Sequence, residues 1–131
     1  MTAMTYDNFM MDKIVHQEIY KKRLLFVKQI QLGTPHSWYA GYLEIISSDP
    51  PFWKQRAAAK DYEFFNSQDS FKWELGECTF AGKMPYYPEH PMFVGFDTEE
   101  TYYPVSKNDC VESLRKMIDF LDRKLSYENQ I

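Results

Sequence analysis

The sequence predicts an α+β fold, in which an antiparallel sheet of about four strands is covered by a C-terminal amphipathic helix and a middle helix. Two observations predict this class. Short runs rich in aromatic and β-branched residues recur between Gly- and Pro-containing turns, and a long amphipathic pattern closes the chain. Because 131 residues are enough to bury one core, we expect a single domain over residues 1–131, with residues 1–6 frayed.

The N-terminal part predicts a helix followed by a hairpin. Asp7 is a candidate N-cap, and the basic run 21–23 predicts a solvated turn. The apolar side of this helix would carry Phe9, Met10, Ile14 and Ile19. Residues 24–32 and 38–46 are rich in strand formers and flank the turn signal Gly-Thr-Pro, so they predict a β-hairpin. A helix that continues from residue 8 to residue 32 is the competing interpretation.

The centre of the chain predicts a helix and then two neighbouring strands. Asp49 before two prolines is typical of a helix start, and the residues from Trp53 to Phe65 predict a helix of about three turns. Residues 71–80 and 92–97 are apolar and bounded by Gly and Pro, so they predict strands joined by a Pro- and Tyr-rich loop. The glycines near the strand ends predict close backbone approach or β-bulges.

The strongest helix pattern lies near the C-terminus. Asp109 is a candidate N-cap, and Glu112 three residues later completes a capping box. The apolar side chains at helical spacing are Val111, Leu114, Met117, Ile118, Leu121 and Leu125. The charged side chains that fall mostly opposite are Arg115, Lys116, Asp119, Asp122, Arg123 and Lys124. This amphipathic helix should therefore cover one face of the sheet.

The composition and charge narrow the classes of function. The formal net charge is −4, which argues against direct binding to a nucleic-acid phosphate backbone. Residues 66–131 carry seven Lys or Arg and twelve Asp or Glu, so this half faces either solvent or a basic partner. The sequence has no secretory signal and no apolar run that could cross a membrane, so we expect a cytoplasmic protein without a membrane partner.

Histidine and cysteine spacing does not predict a metal or catalytic centre. None of His16, His36 and His90 has a partner at a ligand spacing, and Cys78 and Cys110 form no Cys-x-x-Cys pair. Cys78 falls in a predicted strand, where a buried and inert thiol is the usual case. We therefore assign no catalytic residue, no metal ligand and no cofactor.

A group of carboxylates leaves two interpretations open. Glu74 and Glu77 lie in one predicted strand, and Asp97 ends the next, so antiparallel pairing would bring Asp97 towards Glu74. Such carboxylates bind a divalent ion or act as acid and base. In the alternative, Asp97 has a structural role and caps residues 98–100 through short-range hydrogen bonds.

Aromatic residues near the same strands predict an interaction surface. The pairs Tyr86-Tyr87 and Tyr102-Tyr103 lie in predicted loops on both sides of the strand 92–97, and exposed tyrosine suits interfaces. The predicted binding residues are Tyr86, Tyr87, Asp97, Glu99, Glu100, Tyr102 and Tyr103. Ordinary packing of these rings against the sheet is the alternative.

Three short motifs resemble a family of small, mostly uncharacterised proteins of bacteriophages and mobile elements. The family pattern runs Gly-Tyr-Val, then His-Gly-Gly-Leu-Thr-Phe-Ser/Ala-Gly, then Gly-Phe-Asp-Cys-Ala-His, and then a C-terminal helix. The residues that carry the resemblance here are Gly41, Tyr42, Leu43, Gly76, Thr79, Phe80, Ala81, Gly82, Gly95, Phe96 and Asp97. The two family histidines fall on Leu75 and Glu100, so the resemblance implies the fold and origin but no shared activity.

This resemblance implies a binding protein rather than an enzyme. Small mobile-element proteins of this kind act in the cytoplasm of the host cell by contacting a host protein, for example to inhibit a defence system such as CRISPR. The alternative function is a small-ligand or metal-binding protein, or an enzyme, that uses Glu74, Glu77 and Asp97, such as a binder of a nucleotide signal.

Overall fold

The protein is an α+β domain built on a five-stranded antiparallel sheet, which confirms the predicted fold class. The computed structural model describes residues 11–31, 36–68, 75–90, 92–99 and 103–129. At residue 11 and at residues 125–129 it describes the backbone only. The strands are β1 (Met11–Tyr20), β2 (Arg23–Gln31), β3 (Ser37–Ile45), β4 (Cys78–Gly82) and β5 (Met92–Asp97), and their order in the sheet is β1-β2-β3-β5-β4. The helices in these ranges are α1 (Pro51–Ala58), α2 (Tyr62–Asn66) and α3 (Lys107–Asn129).

The N-terminal segment is a strand, so the predicted helix is wrong from Met11 onward, as is the competing helix over residues 8–32. Residues 1–10 lie outside the described ranges. β1 and β2 form a hairpin around Lys21 and Lys22, whose φ angles are 48° and 74°. Two residues with positive φ are what a type I′ turn requires, and Asn or Gly usually occupies them. Two lysines give no such signal, and for this reason the sequence does not predict strand β1.

The hairpin of β2 and β3 is confirmed, while the strand predicted over residues 71–80 is shorter and later. β2 and β3 pair antiparallel with Leu25 opposite Leu43. β4 begins only at Cys78, two residues after Gly76, which has a φ of 157°. The register between β4 and β5 shifts between Cys78 and Phe80. Gly95 of β5 shows the close approach expected of a glycine near a strand end, because a Cβ there would overlap the Tyr42 ring and the Gly41 carbonyl. Residues 71–74 lie outside the described part of the chain.

The predicted middle helix is two short helices. Lys60 has a φ of 59°, which a right-handed helix does not accommodate, and it separates α1 from α2. The Asp61 carboxylate then caps α2 by accepting the Phe64 N–H at 3.1 Å. Asp49 is not the cap of α1, because its side chain is buried and bonds to Arg23 and to the Ile46 N–H.

All three helices pack on one face of the sheet. α3 lies over β1, β2 and β3, while α1 and α2 lie near the other edge, against β4 and β5. The predicted apolar face of α3 is buried from Val111 to Leu121, which confirms its orientation within the described side chains. The capping box at its start is Ser106 with Asp109, since each accepts a hydrogen bond from the backbone N–H of the other. Asp109 is therefore the third helical residue rather than the N-cap.

No helix in the described ranges is both long enough and apolar enough to cross a membrane.

The orientation of α3 predicts which of its residues stabilise the fold. Leu114 and Leu121 are fully buried in the core, so replacing either with alanine should lower the free energy of unfolding by about 2–5 kcal/mol. Arg123 is exposed, and Arg123→Ala should change the free energy of unfolding by less than about 0.5 kcal/mol. Urea denaturation followed by circular dichroism measures all three, and equal effects at Leu121 and Arg123 would contradict the assigned orientation.

Candidate functional site

The sheet face opposite the helices is built largely from aromatic side chains. Alternation along β2 directs Leu25 and Val27 towards the helices and Leu24 and Phe26 to the other side. The buried residues of this second cluster, which we call the aromatic face, are Leu24, Phe26, Ile30, Trp38, Ala40, Tyr42, Met84 and Phe93. An antiparallel sheet often leaves one face to solvent, but this sheet has an apolar cluster on both faces.

Tyr42 lies at the centre of the aromatic face. Its ring stacks on Phe26 with a centroid distance of 4.8 Å and meets Phe80 edge-on at 5.4 Å. Gly95 on the neighbouring strand allows this arrangement, because a Cβ atom there would overlap the Tyr42 ring. The glycine of the Gly-Phe-Asp motif is thus explained by close packing against a tyrosine.

The connection between β4 and β5 covers part of the aromatic face. This covering loop, residues 83–90, places the Tyr87 ring 4.8 Å from the Phe26 ring and 5.9 Å from the Phe93 ring. The Tyr87 hydroxyl donates a hydrogen bond to Gln17 of β1. At the end of the loop, His90 Nδ1 lies 2.8 Å from Glu44 Oε2. Tyr87 is therefore held by packing, as the alternative interpretation of the tyrosine pairs expected.

A polar group on the same face joins the loop to β1 and β2. The Tyr86 hydroxyl donates to Asp12, and Lys28 Nζ lies 3.0 Å from the same carboxylate. The hydrogen bond to Asp12 raises the pKa of Tyr86 to about 12, and the same bond holds the pKa of Asp12 below its usual value. Lys28 Nζ also lies 5.4 Å from the centroid of the Tyr42 ring, within cation–π range.

Beyond the covering loop, the aromatic face opens into a cavity with an acidic rim. This acidic cavity has a volume of about 430 Å³ and is lined by Tyr42, Thr79, Phe80, Asp97 and Glu99. Burial raises the pKa of Tyr42 well above its ordinary value, and the nearby Asp97 carboxylate adds to the shift. The cavity thus combines aromatic walls, a threonine hydroxyl and two carboxylates.

Asp97 caps the turn that follows β5, as its structural interpretation predicted. Its Oδ1 accepts the Glu99 N–H at 2.7 Å, and its Oδ2 accepts the indole N–H of Trp38 at 3.1 Å. Each oxygen of a carboxylate accepts more than one hydrogen bond, so Asp97 keeps acceptor capacity towards the cavity. The residue therefore both fixes the turn and contributes a carboxylate to the acidic rim.

The structure brings four of the predicted binding residues onto one face. Tyr86, Tyr87, Asp97 and Glu99 all lie at or beside the aromatic face. Tyr103 is 73% exposed in the segment before α3. The remaining two, Glu100 and Tyr102, lie outside the described residues.

The described residues form no candidate metal centre. No group of three His, Cys, Asp or Glu side chains in these ranges is arranged to hold a metal ion, and Glu74 lies outside them. Glu77 is exposed. Cys78 and Cys110 are buried free thiols, as expected for inert cysteines, and burial raises the pKa of both, that of Cys110 to about 12.

Sequence reasoning missed the contribution of Asp12 and Lys28 to this face. The sequence pattern predicts a helix around Asp12, and such a helix does not pair Asp12 with Lys28 across two strands. The signal for Lys28 was present, because it is the one charged residue inside the apolar run of β2. Its alternation with Phe26 places it on the aromatic face.

No protein-family model, no curated protein and no solved structure matches the chain. The resemblance to the bacteriophage family stays a prediction from the motif residues.

The hydrogen bonds of Asp97 predict a graded response to mutation. Asp97→Ala leaves the Glu99 N–H and the Trp38 indole without their acceptor, so it should lower the free energy of unfolding by about 1–3 kcal/mol. Asp97→Asn keeps one carbonyl acceptor, so it should lower the free energy of unfolding clearly less than Asp97→Ala does. Thermal and urea melts of both variants measure this, and an Asp97→Ala protein that melts like the parent would contradict the structural role.

Proposed function

We propose that the protein is a small phage-type binding protein that contacts a host protein in the host cytoplasm. The observation that supports this most is the pairing of an exposed aromatic ring with carboxylates around the uncovered part of the aromatic face. Tyr86 is 45% exposed and donates a hydrogen bond to Asp12. Lys28 Nζ lies 5.9 Å from the centroid of the Tyr86 ring and 5.4 Å from that of Tyr42, which lines the acidic cavity together with Asp97. Tyrosine-rich surfaces of this kind are enriched at protein interfaces.

The charge of this surface favours a basic partner. Asp97 and Glu99 form the rim of the acidic cavity, and the C-terminal half of the chain is acidic. A lysine or arginine side chain of the partner would meet the carboxylates at the rim and the Phe80 ring that lines the same cavity, which gives both charge and cation–π attraction. Electrostatic complementarity of this type sets partner choice and association rate.

The resemblance to mobile-element proteins supports the biological setting of this proposal. A phage protein of this size would act stoichiometrically on a host factor, and a host defence system such as CRISPR is the target class that we propose. The structural role of Asp97 is consistent with binding, because a rigid rim loses little conformational entropy when a partner docks.

The proposal predicts that reversing one rim charge weakens partner binding. Tagged protein is incubated with host lysate, the captured proteins are identified by mass spectrometry, and the affinity of the purified partner is then measured. Glu99→Lys should weaken that affinity by about tenfold or more, because it places like charge against a basic partner. Glu112→Lys on α3 is the matched control, since Glu112 is exposed and lies on another element.

Two outcomes would contradict the proposal. One is that no host protein is enriched above the untagged control in repeated captures. The other is that the partner binds Glu99→Lys as tightly as the parent, or loses affinity equally for Glu99→Lys and Glu112→Lys.

A further inference from the structure

Strand β1 forms one edge of the sheet. It pairs with β2 alone in the strand order and runs for 10 residues, Met11–Tyr20. An edge strand presents N–H and C=O groups that can pair with the strand of another chain. Outside the pairing with β2, no hydrogen bond among the described residues reaches the backbone of β1. Within the described part of the chain, the outer side of β1 is therefore open to a further strand.

A β-bulge changes which residues of β1 face the helices. The pairing with β2 shifts register at Val15. Before the bulge, Ile14 packs with the aromatic face, so alternation directs Lys13 to the face that the helices cover. After the bulge, Glu18 lies opposite Leu25, which belongs to the core under the helices. Lys13 and Glu18 therefore share one face, although they are an odd number of positions apart.

Lys13 and Glu18 keep charge available at this edge. Lys13 is exposed, and it forms no ion pair with a described residue. Glu18 Oε1 accepts a hydrogen bond from Arg115 Nη2 at 2.7 Å and lies 2.6 Å from His16 Nε2. Both of these contacts use the same oxygen, and each oxygen of a carboxylate can accept hydrogen bonds. Glu18 Oε2 is thus left for a cation that approaches the edge.

We propose that β1 pairs antiparallel with β1 of a second copy of this chain, with Lys13 of each copy opposite Glu18 of the other. The interface has two-fold symmetry, so the same ion pair forms twice. Opposite charges that lie directly across two antiparallel strands stabilise a sheet. The two bulges then lie opposite each other at the symmetry axis, and the two sheets become one continuous sheet.

The bulge selects this register. Next to the axis, Ile14 of each copy lies opposite Gln17 of the other, and both side chains belong to the aromatic face, where Gln17 accepts the Tyr87 hydroxyl. A shift by one or two positions breaks the match. Residues of the aromatic face then lie opposite residues of the helix-covered face.

The register also gives the exposed isoleucine of β1 an apolar neighbour. Ile19 is 63% exposed and lies opposite Leu24 of the aromatic face. In the paired strands it lies opposite Asp12 of the second copy, and its diagonal neighbour is Ile14 of that copy. Diagonal neighbours are within reach of long side chains. This contact also forms twice, on the aromatic face, while the ion pairs form on the helix-covered face.

The charges favour a second copy over an unrelated strand. A lysine on an edge strand discourages pairing with other chains, because it is left without a partner or meets a like charge. β1 itself carries the matching carboxylate, Glu18, at the position that the two-fold axis requires. The proposed host contact at Asp97 and Glu99 does not use Lys13 or Glu18 and lies towards the opposite edge of the sheet, so either proposal can fail without the other.

The test is sedimentation equilibrium of the full chain over a range of protein concentrations. The parent protein should form dimers. Lys13→Glu should raise the dissociation constant of the dimer by about tenfold or more, because two like-charge pairs replace two ion pairs. Lys83→Glu is the matched control, since Lys83 is exposed and directly follows β4 at the opposite edge, and this variant should dimerise as the parent does.

A charge exchange separates the interface from a defect in folding. Glu18→Lys should also weaken the dimer, and an equimolar mixture of Lys13→Glu with Glu18→Lys should form a heterodimer, because each cross-strand pair then joins opposite charges. A folding defect is not repaired by mixing. Because Glu18→Lys places a second cation beside Arg115, thermal melts check that it is folded. Independently of that variant, hydrogen exchange of the β1 amides should slow with rising concentration of the parent and not of Lys13→Glu.

Three results would overturn the inference. The first is a parent protein that stays monomeric at hundreds of micromolar. The second is a dimer whose dissociation constant is unchanged by Lys13→Glu, or is raised equally by Lys83→Glu. The third is a mixture of folded Lys13→Glu and folded Glu18→Lys proteins that contains no heterodimer.

Discussion

The buried ion pair between Arg23 and Asp49 is the interaction on which the rest of the structure depends. Arg23 is 2% exposed, and its guanidinium bonds to both oxygens of the Asp49 carboxylate and, at 2.9 Å, to the Glu44 backbone carbonyl. The Glu44 side chain accepts the Leu24 N–H with one oxygen and contacts His90 of the covering loop with the other. Charges removed from water are tolerated only when they are paired and hydrogen-bonded in this way. One polar cluster thus joins the start of β2, the end of β3, the turn before α1 and the loop over the aromatic face.

Through His90 the polar cluster also holds the end of the covering loop, and this loop determines which part of the aromatic face stays open. The helices cover one face, and the covering loop closes part of the other, with Tyr87 packed on Phe26 and Phe93. Residues beyond the loop then line the acidic cavity. The proposed function concerns this uncovered end, because it is where side chains of several strands meet solvent with charge and aromatic rings together.

Features that depend on local periodicity were predictable, and features that depend on long-range pairing were not. The apolar stripe of α3 and the hairpin of β2 and β3 follow from residue spacing, and the Asp97 cap joins groups only two residues apart. β1 was missed because its turn uses two left-handed lysines, and the middle helix was predicted unbroken because nothing in the sequence marks Lys60 as left-handed. The partners of Arg23 are 21 and 26 residues away, so its burial could not be inferred from a basic run.

A double-mutant cycle on the buried pair tests this account most directly. Arg23→Met alone should lower the free energy of unfolding by about 3–5 kcal/mol, because it leaves the Asp49 carboxylate buried without its partner. Arg23→Met with Asp49→Leu should cost less than the sum of the single changes, with a coupling energy above about 1 kcal/mol. The half-exposed pair of Lys21 and Asp119 is the control, and its coupling should stay below about 1 kcal/mol. Two results would contradict the central role of the pair. One is that the changes at Arg23 and Asp49 lower the free energy of unfolding additively, and the other is that Arg23→Met lowers it no more than a surface substitution does.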